Sequence, residues 1–328
     1  MSYESSRGRH LEALVVALFV SLAGCAGTTG SSLAPQTQVG GSLASSAAAL
    51  RRDAHAEKVL YVSNSLSDVT VFPASIHASN PPPLVTITDG TTRPEGMWVD
   101  RKGTLYVVNG VGQKPVSVAE YERGKTSPDR TIESGLVAPS AVAAGGDGTV
   151  YVNDVHETKT GVVVVYGPGQ PAPERTITLP DPAYALQAGG MTFDARGNLL
   201  VATLAPETNA VHVFSIAPGS SQPVDLGLQG AGGASIAIDG AGNLYTAGAP
   251  NDDTVAVYAP GATTPSRTFQ LGAQANFITV ATKGTLYAGV INERTGVTGV
   301  AEVAPGATTI SNLIDKGKYA YGVALGSL

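Results

Sequence analysis

From residue 58 onward, apolar residues fall in short runs, many alternating with small or polar ones; Val59-Leu60-Tyr61-Val62 and Val255-Ala256-Val257-Tyr258 are typical. Alternation over so few positions, bounded by Gly, Pro, Asn and Asp, predicts short strands joined by turns. Helical spacing is scarce beyond the N-terminus. The runs also recur. Gly-(Asn/Thr)-(Leu/Val)-Tyr-Val stands at Gly103–Val107 and Gly148–Val152, with relatives at Gly197–Val201, Gly242–Tyr245 and Gly284–Tyr287, and a copy without the glycine at Val59–Val62. The series Tyr61, Tyr106, Tyr151, Leu200, Tyr245, Tyr287 advances in steps of about 45, 45, 49, 45 and 42 residues, the period of a propeller blade.

Each unit carries four strand-like runs. A small apolar run such as Ala234–Asp239 leads into an Asp-x-x-Gly turn, whose Asp and Gly suit the first and fourth positions of a type I turn. The Gly-Asn-Leu-Tyr-Val strand follows, then a Val-x-Val-Tyr strand, a Pro-Gly turn and a Pro-x-Arg-Thr strand, seen at Arg130, Arg175 and Arg267. Proline beside the last strand is compatible with a blade's outer edge. The first unit lacks an inner strand, while Tyr321–Gly326 supplies one with nothing after it. The expected fold is therefore all-β: a six-bladed β-propeller of four-stranded antiparallel blades, closed by a C-terminal strand completing the first blade.

The start of the chain reads differently. Arg7 and Arg9, the apolar run Ala13–Val20 and the small residues up to Cys25 form a secretory signal. Leu22-Ala23-Gly24-Cys25 resembles the bacterial lipobox, which implies acylation of Cys25 as the first mature residue. It is the one cysteine in the chain, so no intramolecular disulfide forms. Ala26 rather than Asp follows it, which favours the outer membrane or cell surface. Ser, Ala, Gly and Thr then dominate, a composition that cannot bury enough apolar surface to order itself. The expected division is a lipoprotein signal peptide at 1–24, a lipid-anchored flexible linker at 25–57 and the propeller at 58–328.

Composition narrows the chemistry. Forty Gly and 21 Pro with 14% charged residues fit a turn-rich β protein. The net charge of −6 has no basic stripe, which argues against nucleic-acid binding. No Gly-x-Ser-x-Gly elbow or His-Glu-x-x-His zinc helix is present.

The blade repeat, through runs such as Asp194–Val201 and Asp239–Thr246, resembles those of NHL-repeat and gluconolactonase-like six-bladed propellers. Aligning the units places two rings at one mouth of the channel. Asn64, Asn109, Asp154, Thr203, Gly248 and Val290 follow the second strands; Tyr321, Glu95, Ser140, Gly189, Ala234 and Asn276 start the inner ones. Polar groups gather in the first three blades, which suits a ligand with a polar head. The gluconolactonase resemblance implies a divalent metal at this mouth, with Glu95, Asn109 and Asp154 as nearest equivalents; oxygen ligands alone would suit Ca²⁺ or Mg²⁺. Asn64, Ser140, Asn276 and Tyr321 are further contacts. An Asn or Asp after a strand also commonly caps a turn. Besides a structural envelope protein with no small ligand, two functions remain open. One is a non-enzymatic propeller, monomeric and lipid-displayed at the cell envelope, that binds an envelope protein, peptide or carbohydrate. The other is a metal-dependent lactonase-like hydrolase.

Overall fold

Strands form where the alternation places them. The computed structural model describes residues 58–64, 67–74, 81–110, 114–156, 161–180, 189–205, 210–230, 232–248, 252–292, 295–314 and 319–328. The signal, Cys25 and the linker lie outside the described residues.

The first three strands are β1 (Lys58–Asn64), β2 (Asp68–Pro73) and β3 (Val85–Ile87). Blade 2 runs β4 (Met97–Val99), β5 (Leu105–Asn109), β6 (Ser117–Tyr121) and β7 (Arg130–Ile132). Blade 3 holds β8 (Pro139–Ala144), β9 (Val150–Val155), β10 (Gly161–Tyr166) and β11 (Arg175–Thr178). Blade 4 holds β12 (Met191–Phe193), β13 (Leu199–Ala205), β14 (Ala210–Ile216) and β15 (Val224–Asp225). Blade 5 is β16 (Ser235–Ile238), β17 (Leu244–Ala247), β18 (Thr254–Tyr258) and β19 (Arg267–Gln270). Blade 6 is β20 (Gln274–Val280), β21 (Leu286–Asn292), β22 (Val297–Val303) and β23 (Asn312–Ile314). The last strand, β24 (Ala320–Ser327), joins blade 1 in the order β24-β1-β2-β3. The protein is a six-bladed β-propeller of antiparallel four-stranded blades.

Closure has the expected register, with Leu60 opposite Leu325, Tyr61 opposite Ala324 and Val62 opposite Val323. Inner strands touch in sequence around the axis, and β24 meets both β4 and β20. Little room remains there. A Cβ on Gly322 would lie 1.9 Å from the Glu95 carbonyl oxygen, and one on Gly96 would lie 2.4 Å from that of Ser140. These glycines are required by close backbone approach.

The core lies between blades. Val59, Tyr61 and Val71 of blade 1 pack with Leu105, Val107 and Tyr121 of blade 2. Val108, Val118 and Ile132 pack with Val142, Val152 and Val164 of blade 3. Hairpins between first and second strands close as the repeat predicts. At Asp239 the Gly242 amide donates to the Asp239 carbonyl at 3.0 Å, while Asp239 Oδ1 accepts from the Ala241 and Asn243 amides, each at 2.9 Å. Gly242 sits at φ +84°, a left-handed value natural to glycine.

Two polar staples join neighbouring blades. Third-strand tyrosines Tyr121, Tyr166 and Tyr258 donate to the carbonyls of Asp89, Ser134 and Gln229, on the connection arriving from the preceding blade. Outer-strand arginines Arg130, Arg175 and Arg267 donate to the carbonyls of Gln170, Gly219 and Ala307, in or beside the Pro-Gly turn of the following blade. Tyr258→Phe should therefore remove a 3.0 Å bond and lower stability by about 1 to 2 kcal/mol, read as a fall of about 2 to 6 °C in thermal denaturation.

Candidate functional site

Six inner strands enclose a central cavity of about 200 Å³, lined by residues that include Trp98, Met191, Ile236, Phe277, Thr279 and Val323. Trp98 meets Phe193 edge to face at 5.7 Å, and Phe193 meets Tyr151 the same way at 5.8 Å. The Trp98 indole N–H is buried and has no hydrogen-bond partner among the described residues. Each inner strand is paired on one side only, through its second strand.

The polar ring after the second strands is largely engaged in holding loops. Asn109, at the end of β5, accepts from the Thr92 amide at 3.0 Å and donates to the Gly90 carbonyl at 2.9 Å. Asp154, on β9 and fully buried, accepts from the Val137 amide at 2.9 Å through Oδ2. Its Oδ1 accepts from the amides of Ala138 and Val155 at 2.6 and 2.8 Å. Both residues thus tie down the chain segment that leads into their own blade's inner strand. Asn64, at the end of β1, donates from Nδ2 to Asp68 and Thr70, leaving its Oδ1 buried without a partner.

The ring at the start of the inner strands divides. Asn276 on β20 donates to the Ala320 carbonyl at 3.3 Å, linking blade 6 to β24. Ser140 on β8 is buried, and its hydroxyl has no partner among the described residues. Glu95, just before β4, uses its backbone amide toward the Val108 carbonyl at 3.0 Å. No described residue hydrogen-bonds its carboxyl group. Tyr321 on β24 lies close enough to feel the charges of Glu95 and Arg93. Blade closure therefore brings Glu95 and Tyr321 to the same junction, although 226 positions separate them in the chain.

Arg93 is the member that alignment of the repeats missed. It adopts φ +48°, the one left-handed non-glycine residue among those described, and its Nε is buried without a partner. Burial pushes the Glu95 carboxyl up to about 7 against the opposing pull of Arg93. Burial also raises the Tyr321 phenol, helped by the Glu95 charge and opposed by Arg93. Near neutral pH, Glu95 can therefore either donate or accept a proton in a hydrogen bond.

These residues do not fit the oxygen cage that the gluconolactonase resemblance implies. Asn109 Oδ1 and both Asp154 oxygens already accept backbone amides, and Asp154 is sealed from solvent. Among the described residues no group of three or more His, Cys, Asp or Glu is placed to hold a metal ion. His156 Nε2 lies 3.6 Å from Asp154 Oδ2. His212, on β14, pairs with Asp225 at 2.8 Å.

No protein-family description and no curated protein matches the chain by sequence. Solved structures do resemble it. Hydrazine synthase of Kuenenia stuttgartiensis aligns with TM-score 0.55 and 15% identity, over 75% of this chain and 80% of that one. A Bacteroides fragilis protein described as a candidate 6-phosphogluconolactonase gives 0.54 and 13%, over 82% and 98%. A candidate gluconolactonase reaches 0.50 and 15%, over 73% and 90%. At such identities the likeness is one of fold alone.

Proposed function

We propose that the protein is a non-enzymatic binding propeller, displayed at the bacterial cell envelope by a lipid on Cys25. It engages an envelope carbohydrate or peptide at the channel mouth between blades 1 and 2. One observation carries this reading: Arg93, Glu95 and Tyr321 lie within electrostatic reach of one another there, with Arg93 Nε buried and unpartnered among the described residues, whereas Asn109 and Asp154 are engaged in closing loops. Polar groups gathered beside the starts of two inner strands suit recognition of a ligand's polar head. A hydrolase would also need a nucleophile or an activated water, and the oxygen cage that would hold a metal for that purpose is engaged in loop closure.

Calorimetric titration with envelope oligosaccharides and peptides tests the binding. At least one should bind, about tenfold more weakly after Glu95→Gln combined with Tyr321→Phe. Failure of both ligand classes would overturn the reading. The anchor has its own test. Full-length protein should partition with membranes and yield an acylated N-terminal Cys25 by mass spectrometry, while Cys25→Ser should leave the membrane fraction.

A further inference from the structure

We infer that the mouth between blades 1 and 2 is a carboxylate-binding subsite, in which Arg93 receives a singly charged carboxylate of the ligand and Glu95 and Tyr321 hydrogen-bond beside it. This deepens the binding reading above and rests on it.

The first support is backbone geometry. A residue preceding proline is steered toward extended conformations, yet Arg93, followed by Pro94, is held at φ +48°. Its surroundings impose this. The Thr92 amide donates to Asn109, the Gly110 amide donates to the Thr92 carbonyl at 2.7 Å, and the Glu95 amide donates to Val108. Thr91 Oγ1 adds a 2.8 Å bond to the Ser67 carbonyl of blade 1. An unfavourable conformation pinned from both sides is characteristic of a binding position rather than of a free loop. Asn109 acquires a role here as a positioning residue for Arg93.

The second support is the unmet donor. Arg93 is half-buried and no described carboxylate comes within ion-pair distance; its Nε is buried without a partner, as are those of Arg130 and Arg175, so a ligand would be met by the terminal guanidinium nitrogens. A guanidinium edge offers paired donors that match the geometry of a carboxylate.

Charge selects the class of anion. The groups facing Glu95 are Arg93 from its own segment and Tyr321 from β24. One arginine beside one carboxyl group favours a single negative charge; phosphate in its doubly charged form, dominant above about pH 7, would meet repulsion from Glu95, which ionises over the same range. Glu95, neutral below about pH 7, then presents a hydroxyl donor to the ligand's oxygens.

The test uses glucuronate as probe, with glucose as its uncharged counterpart, inorganic phosphate as the alternative anion, and acetate as the minimal carboxylate. Isothermal titration of the propeller at pH 6 should give saturable glucuronate binding, with glucose at least about tenfold weaker. Affinity should fall as the pH is raised to 8. Arg93→Gly should abolish glucuronate binding while leaving the melting temperature unchanged or a few degrees higher, because glycine relieves the left-handed strain. Arg93→Lys should retain weaker binding. Three results would overturn the inference: no binding of glucuronate or acetate at millimolar concentration, phosphate binding in preference to both, or undiminished glucuronate binding by Arg93→Gly. An envelope ligand that binds while these carboxylates fail would remove the subsite and leave the broader reading standing.

Discussion

Truncation after Tyr319 is expected to abolish cooperative folding of the propeller. Strand β24 is the inner strand of blade 1 and touches the inner strands of blades 2 and 6, so its loss opens the ring at two joints. Ala320, Val323 and Ala324 would leave a core in which they are at most 5% exposed. Val59, Leu60, Tyr61 and Val62, now at most 2% exposed, would lose their cover on that side. Ser63 Oγ, which accepts from the Gly322 amide at 2.7 Å and donates to the Glu95 carbonyl at 2.8 Å, would lose the contact that joins closure to blade 2. Burial of several apolar side chains plus a strand ladder amounts to on the order of 10 kcal/mol, comparable with the whole stability of a domain. Circular dichroism during heating should show a broad, non-cooperative transition. Gly322→Val should approach the same state without shortening the chain, since its Cβ would overlap the Glu95 carbonyl. A truncated protein that melts sharply within a few degrees of the intact one would show that the ring does not depend on this closure.

Closure could be read from the chain because it follows from counting strands. A first unit without an inner strand and a final inner strand without followers leave one economical pairing, and local turn chemistry at Asp100, Asp194 and Asp239 fixes the rest of the repeat. The positions of Asn64, Asn109 and Asp154 at or near the ends of second strands were legible for the same reason. What their side chains do was not. Asn109 and Asp154 sit where an aligned repeat presents polar groups to a ligand, yet each turns to amides 16 or more positions earlier, on a loop whose path the alternation does not describe. Arg93 was hidden more deeply. Its neighbour Pro94 argues for an extended backbone, and only the bonds through Asn109, Gly110 and Ser67 reveal the left-handed turn. The recurring Pro-x-Arg-Thr motif was recognised as a strand, but its arginine takes its meaning from a carbonyl on the next blade.

Unfavourable features cluster at one junction: Arg93 strained and Glu95 desolvated. A binding site assembled this way should gain stability when it is dismantled, and Glu95→Gln makes that measurable. Glu95 has its pKa raised in the folded protein, from 4.5 to about 7, so folding favours its protonated form. Its contribution is fully favourable below the unfolded value and is lost progressively as pH rises through the window from 4.5 to about 7. Above that window the wild-type protein carries a buried charge that glutamine lacks. The full shift corresponds to about 3 kcal/mol, and solvent reaching the half-buried side chain reduces this to about 1 to 3 kcal/mol. At pH 8, Glu95→Gln should therefore melt about 2 to 10 °C above the wild type. The gain should shrink steadily as the pH is lowered to 5, where the native carboxyl group is already neutral. A gain of equal size at both pH values would trace the effect to packing, and no gain at pH 8 would mean that water solvates Glu95 as fully at the mouth as in the unfolded chain.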